Sequence, residues 1–162
     1  MSFNTASEYG AIMKEVRGKL DTPLVPFKPL QKFSAVPYRG WVMKYTPEGE
    51  LLPYAYGFRS PNGLGFDHVG NLFVTENQGD WVGTSALFHV QENNFYGHPA
   101  SLLWKENWDR GDPSKLPIEE LNSMRRKASV LFPHGIMSSS PGQPVVDNTN
   151  NKFGPFPGQF FV

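Results

Sequence analysis

Short period-two segments joined by tight turns, a chain rich in Gly, Pro and aromatics, and two copies of short motifs predict an all-β fold. The form they predict is a partial β-propeller: parts of about three blades of four-stranded antiparallel meanders, with an N-terminal helix and a short helix in an insertion. The 162 residues are the size of one domain and long enough to bury a core. The chain carries 16 Gly, 15 Pro and 14% aromatics, which suits many strands and turns better than a helix bundle. At 39% hydrophobic and 19% charged it is not a disordered tail.

Residues 1–40 precede the strands. "TASEYGAIMKEVRGKL" predicts a helix near 6–19: Thr5 and Glu8 have capping-box spacing, and Tyr9, Ile12, Met13, Val16 and Leu20 share a stripe. Pro23, Pro26 and Pro29 make the next segment an extended connector, since proline suits neither a helix interior nor a central strand.

From Trp41 the period becomes two, opening a second region, 41–162. "WVMKYT" and "ELLPYAY" flank the turn "PEG", and "GLGFD" and "NLFVTEN" flank "HVG". Each is a hairpin signal. "SALFHV" is a fifth strand, so strands are expected near 41–46, 50–56, 63–67, 71–76 and 85–90. Residues 97–128 break the rhythm and are taken as an insertion. Within it "PIEELNSMRRK" predicts a helix over 117–127, with Pro117 in the first turn, Glu119 and Glu120 near the start and Arg125 to Lys127 near the end.

The repeat rests on "PNGL" (from Pro61) recurring as "PHGI" (from Pro133), each preceded by an aromatic, Phe58 or Phe132. "GNLFV" (from Gly70) recurs as "GQFFV" (from Gly158). On this reading 41–56 supply the outer two strands of one blade and 63–90 the inner three of the next. A third blade begins near the C-terminus. The loops "FRSPN" and "ENQGDWVG" then open at one end of the meander, near the central axis, and the two hairpin turns at the other. Ending inside a repeat, the chain is expected to be a piece of a larger propeller, with edges that invite self-association.

Several chemistries are excluded or unsupported. Without cysteine there is no disulfide, thiolate metal site or Cys nucleophile. Fifteen basic residues balance fifteen acidic ones, which gives no electrostatic basis for binding nucleic acid or an anionic membrane. No apolar run approaches the roughly 20 residues of a membrane-spanning helix, and the N-terminus lacks the pattern of a signal peptide. Neither zinc-type spacing nor a Gly-x-Ser-x-Gly elbow occurs.

"FRSPNGLGFDHVGNLFVTENQGDW", followed by "NNFYGHP", resembles the soluble glucose dehydrogenase and sorbosone dehydrogenase family of six-bladed propellers. That family's pattern is Arg-Asn-Pro-x-Gly-Leu, then Gly-x-Leu-(x)3-Glu-x-Gly-Pro, then Asn-Tyr-Gly-Trp-Pro. The specific match covers about 40 residues, and its form is most similar to large bacterial proteins described as membrane-bound dehydrogenases. The resemblance implies pyrroloquinoline quinone and calcium on one face, oxidation of a sugar or polyol hydroxyl to a carbonyl, and a periplasmic or extracytoplasmic parent.

Carried over residue by residue, the resemblance implies cofactor contacts at Arg59, Ser60 (where the family has Asn), Asn77, Phe132 and His134. It implies calcium at the carbonyls of Gln78 and Gly79, where the family has Gly-Pro. The family's catalytic histidine belongs to an earlier blade and its other basic cofactor contacts lie beyond Val162, so the catalytic residue is unknown and this chain alone is expected to be incomplete as an enzyme. Plainer readings stand beside these. An arginine at a strand entry often pairs with a carboxylate or loop carbonyl, "NQGD" is a common turn, and His98 and His134 suit structural hydrogen bonding. His68 and His89 are not candidates. The rival function is a non-catalytic propeller that binds a glycan or protein, and a third is a relic of a longer gene.

Overall fold

The computed structural model describes residues 37–79 and 81–162, and the described residues form an all-β structure of three antiparallel sheets. The predicted helix near 6–19 and the proline-rich connector lie outside them. Strands β1 (Trp41–Tyr45) and β2 (Leu51–Tyr56) form a two-stranded sheet. Its turn closes with Thr46 N–H donating to the Glu50 carbonyl at 2.9 Å and Gly49 N–H to the Thr46 carbonyl at 3.1 Å.

The central sheet runs in the order β3 (Pro61–Phe66), β4 (Leu72–Glu76), β5 (Ser85–Val90), β6 (Val130–Phe132), every neighbour antiparallel. Asp67 makes the β3–β4 turn. Its Oδ1 accepts from Val69 N–H (3.0 Å) and Asn71 N–H (2.8 Å), and its Oδ2 accepts from the Asn71 amide (2.7 Å). Gly70 follows at φ +88°, a backbone that glycine adopts without a Cβ penalty. β6 was not predicted. At three residues it carries no legible period, and it exists because Ser85, Ala86 and Leu87 of β5 offer a free ladder.

A third sheet joins β7 (Val145–Val146) and β8 (Phe160–Phe161). It corrects the predicted repeat. Pro133–Ile136 is no strand entry but a turn, with Met137 N–H donating to the Pro133 carbonyl at 2.9 Å and Gly135 at φ +73°. The counterpart of "SPNGLGFD" is "SPGQPVVD" from Ser140 to Asp147. Asp67 N–H bonds the Asn71 carbonyl and Asp147 N–H the Gln159 carbonyl. Gly70 and Gly158 both have positive φ and both donate back to their aspartate's carbonyl. The second hairpin differs by a longer loop between Asp147 and Gly158.

These equivalent strands lie against each other. A Cβ on Gly63 would overlap the Gln143 backbone, and one on Gly65 the Pro144 carbonyl. The Asn62 amide donates to the Pro141 carbonyl (2.7 Å) and the Thr75 hydroxyl to the Gly142 carbonyl (2.8 Å).

Two apolar cores result. Val42, Ala55, Phe58, Leu72, Val74, Phe88, Val90 and Tyr96 fill the space between the first and central sheets. The segment between β5 and β6 builds the second. Phe95, Leu102, Trp104 and Leu121 pack on Trp41, Met43 and Tyr56, and the Trp41 indole donates to the Ser101 carbonyl at 2.9 Å. Its helix α1 (Ile118–Met124) is shorter than the expected 117–127, because Arg125 is already extended (φ −78°, ψ 144°) and Arg126 N–H bonds the Phe95 carbonyl. No helix among the described residues is long and apolar enough to cross a membrane.

Candidate functional site

The loop entering β3, the end of β4 and the start of β5 meet at one end of the central sheet. Strand alternation carries them there. Leu72, Val74 and Glu76 are buried along β4, so the carboxyl of Glu76 enters the sheet's end from the strand that supplies the core. Glu76 is only 4% exposed. Its Oε1 accepts from Ser60 N–H (2.6 Å) and its Oε2 from Arg59 N–H (2.9 Å), pinning the β3 entry to the β4 exit. Burial raises the Glu76 carboxyl from its ordinary 4.5 to about 8, against the opposing pull of those two N–H groups and the Arg59 guanidinium.

Beyond Glu76 the chain folds back over Arg59. Asn77 N–H donates to the Ser60 carbonyl at 3.3 Å. Gln78 is held through its N–H, its carbonyl and its side-chain oxygen. Its N–H donates to the Ser85 hydroxyl (3.2 Å), that hydroxyl donates to the Gln78 side-chain oxygen (2.9 Å), and its carbonyl accepts from Arg59 Nη1 (3.3 Å). Gly79 lies directly on the Arg59 side chain, where a Cβ would overlap Nε, Cδ and Cζ. Only glycine permits that approach.

His98 is the cluster's other buried ionisable group. Its N–H donates to the Gly57 carbonyl (2.8 Å), and its Nδ1 accepts from Ala100 N–H (3.3 Å) as the cap of the 3₁₀ turn Pro99–Trp104. Burial, helped by the Arg59 charge, lowers the imidazole from 6.5 to about 3. The ring is therefore neutral, and with Nδ1 accepting, the proton is assigned to Nε2. That Nε2 and the Asn77 Oδ1 are buried and lack a hydrogen-bond partner among the described residues.

Arg59, Ser60, Asn77, Gln78 and Gly79 thus share one sheet end, as their positions in the sequence predict. Phe132 reaches the same sheet end on the outer strand, beside Ser85, and His134 lies beyond it. Phe132 closes the outermost strand β6, where it pairs with Ser85 and its carbonyl accepts from the Thr84 hydroxyl (2.8 Å). His134 follows it, exposed, in the turn after β6. The reason is the added fourth strand: what reads as the entry to a new blade is the exit of the present one. His68 lies exposed in the β3–β4 turn, and His89 stacks on Phe73 with ring centroids 5.2 Å apart. Asp80 is outside the described residues.

Glu76 and His98 were not singled out as site residues. Glu76 had a readable signal, a carboxylate continuing the buried alternation of Leu72 and Val74. His98 had none, because its burial depends on the distant β1–β2 sheet.

The donor set does not fit calcium. Calcium takes about 6–8 oxygen ligands at roughly 2.3–2.6 Å, whereas the Gln78 carbonyl already bonds a guanidinium whose charge repels a divalent ion. Among the described residues no three His, Asp or Glu side chains form a group suited to a metal. No family model, curated protein or solved structure matches this chain.

Proposed function

We propose that the chain is a segment of a β-propeller of the glucose and sorbosone dehydrogenase type, contributing one ligand-facing loop cluster to a sugar- or polyol-oxidising parent. One observation carries this reading. Strand β3 of a four-stranded antiparallel meander lies against β7, the first strand of the next sheet, with the equivalent Ser-Pro entries at Ser60 and Ser140. Adjacent first strands are what blades placed around an axis produce. The extracytoplasmic location expected of the parent belongs to the same reading.

In that parent, pyrroloquinoline quinone would supply the redox chemistry by accepting the electrons of the substrate's C–H bond. This chain's own residues would orient. Asn77 offers a buried acceptor oxygen suited to a sugar or polyol hydroxyl, or to another hydrogen-bond donor. The Glu76 brace holds Arg59 and Ser60 at the loop mouth. Calcium has no part in this account.

A second reading, a non-catalytic propeller that binds a glycan or protein, is favoured by the same Gln78 carbonyl being bonded to Arg59. Dye-coupled oxidation of a panel of sugars and polyols by the full-length parent, with and without added quinone, separates the two. Quinone-dependent turnover supports the dehydrogenase. Sugar binding by calorimetry without turnover supports the binding propeller.

A further inference from the structure

We propose that Arg59 is the built-in cation of the loop after β4, standing where the resembling family holds calcium, so that this end of the sheet orders without a divalent ion. Three contacts carry the proposal. The Gln78 carbonyl, one of the two oxygens that the resemblance assigns to calcium, accepts from Arg59 Nη1 at 3.3 Å. Gly79 rests on the Arg59 side chain closely enough that no Cβ fits between them. Arg59 itself is anchored at its backbone by the Glu76 carboxyl, 2.9 Å away, so the guanidinium is delivered to the loop from a fixed point.

The loop's own bonds fit this arrangement. Gly79 N–H closes onto the Val82 carbonyl at 2.9 Å, and the Gln78 side chain turns inward to Ser85 instead of out towards an ion. A guanidinium satisfies carbonyl oxygens by directed N–H donation and needs no ring of five or more further oxygens. The geometry of Arg59, Gln78 and Gly79 stands without the propeller assignment; only the comparison with calcium rests on it.

The clash that a Cβ on Gly79 would make is with the outer part of a long side chain, so an unrestrained arginine would swing aside at little cost. The proposal requires that it cannot do so freely. Gly79→Ala in the otherwise unmodified chain should therefore reduce the folding equilibrium constant by roughly 5- to 150-fold, the usual effect of an overpacked contact. In an Arg59→Ala background the same change should cost much less, because the obstruction is gone. Should Arg59→Ala fail to fold, Arg59→Val, which also lacks the Cδ, Nε and Cζ that a Gly79 Cβ would meet, takes its place.

The unmodified chain supplies a separate arm: thermal unfolding in millimolar calcium and in chelator should coincide. A calcium-dependent rise in the melting temperature that chelator removes would overturn the proposal. So would equal costs of Gly79→Ala in the two backgrounds. These stability measurements fail independently of turnover in the parent, so either conclusion can fall without the other.

Discussion

The Glu76 carboxyl provides the sharpest test of how this sheet end is held. Glu76→Gln keeps the shape but turns one of two accepting oxygens into a donor, which must then face the N–H of Arg59 or of Ser60. An unpaired buried N–H costs about 1–3 kcal/mol, so below about pH 4.5, where this side chain is neutral in both proteins, the variant should be less stable by that amount. The pH dependence gives the test its direction. Glu76 is raised from 4.5 to about 8, so the folded chain holds a proton that the unfolded chain releases. Its linked stability is complete below about 4.5 and falls as pH rises towards about 8, with a slope of up to about 1.4 kcal/mol per pH unit.

His98 acts in the opposite sense. Lowered from 6.5 to about 3, it contributes stability above 6.5 that is lost as pH falls towards about 3. The two slopes oppose each other between 4.5 and 6.5, so the wild-type chain should be most stable there and decline on both sides. Urea unfolding followed by tryptophan fluorescence, at about pH 5.5 and about pH 8.5, reads both effects. The wild type should lose stability between the two pH values and Glu76→Gln should not, so the gap between them narrows or reverses. An alkaline decline of equal slope in both proteins would refute the argument.

Further outcomes follow from other contacts. Tyr96→Phe removes a hydroxyl that donates to the His89 carbonyl (2.9 Å) and accepts from Gln91 N–H (2.8 Å). It should lower stability by about 1–3 kcal/mol in denaturant titration, and a change under about 0.5 kcal/mol would show that water replaces both bonds. Gly65→Val adds a side chain where the Pro144 carbonyl already sits, so it should part β3 from β7 and speed exchange of the Asn62 side-chain amide that bonds the Pro141 carbonyl; unchanged exchange would contradict that packing. Asp67→Ala loses three turn-closing bonds at an exposed site, with an expected cost of about 1 kcal/mol. The exposed apolar residues Ile136, Met137, Phe153 and Phe156 predict self-association, read by sedimentation across a concentration series; a monomer throughout would rule it out.

The sequence by itself determined what depends on neighbours a few positions apart. Strands β1 to β5 are legible because alternation and turn chemistry are local: Asp67, Gly70 and Asn71 close their hairpin through atoms within five residues. For the same reason Arg59 and Asn77–Gly79 could be assigned to one end of a meander before any coordinates. The three-residue β6 was decided only by the free edge of β5, some forty residues earlier in the chain. That one strand put Phe132 on the outer edge beside Ser85, left His134 in an exposed turn and made "PHGI" a turn where a strand entry is expected. The second core likewise depends on Trp41 and Tyr56 receiving Phe95 and Leu102, a pairing that no local period encodes. Tertiary structure also decided which groups of its own loop Arg59 meets: Nη1 donates to the Gln78 carbonyl and Gly79 lies on the side chain, contacts that no local pattern encodes.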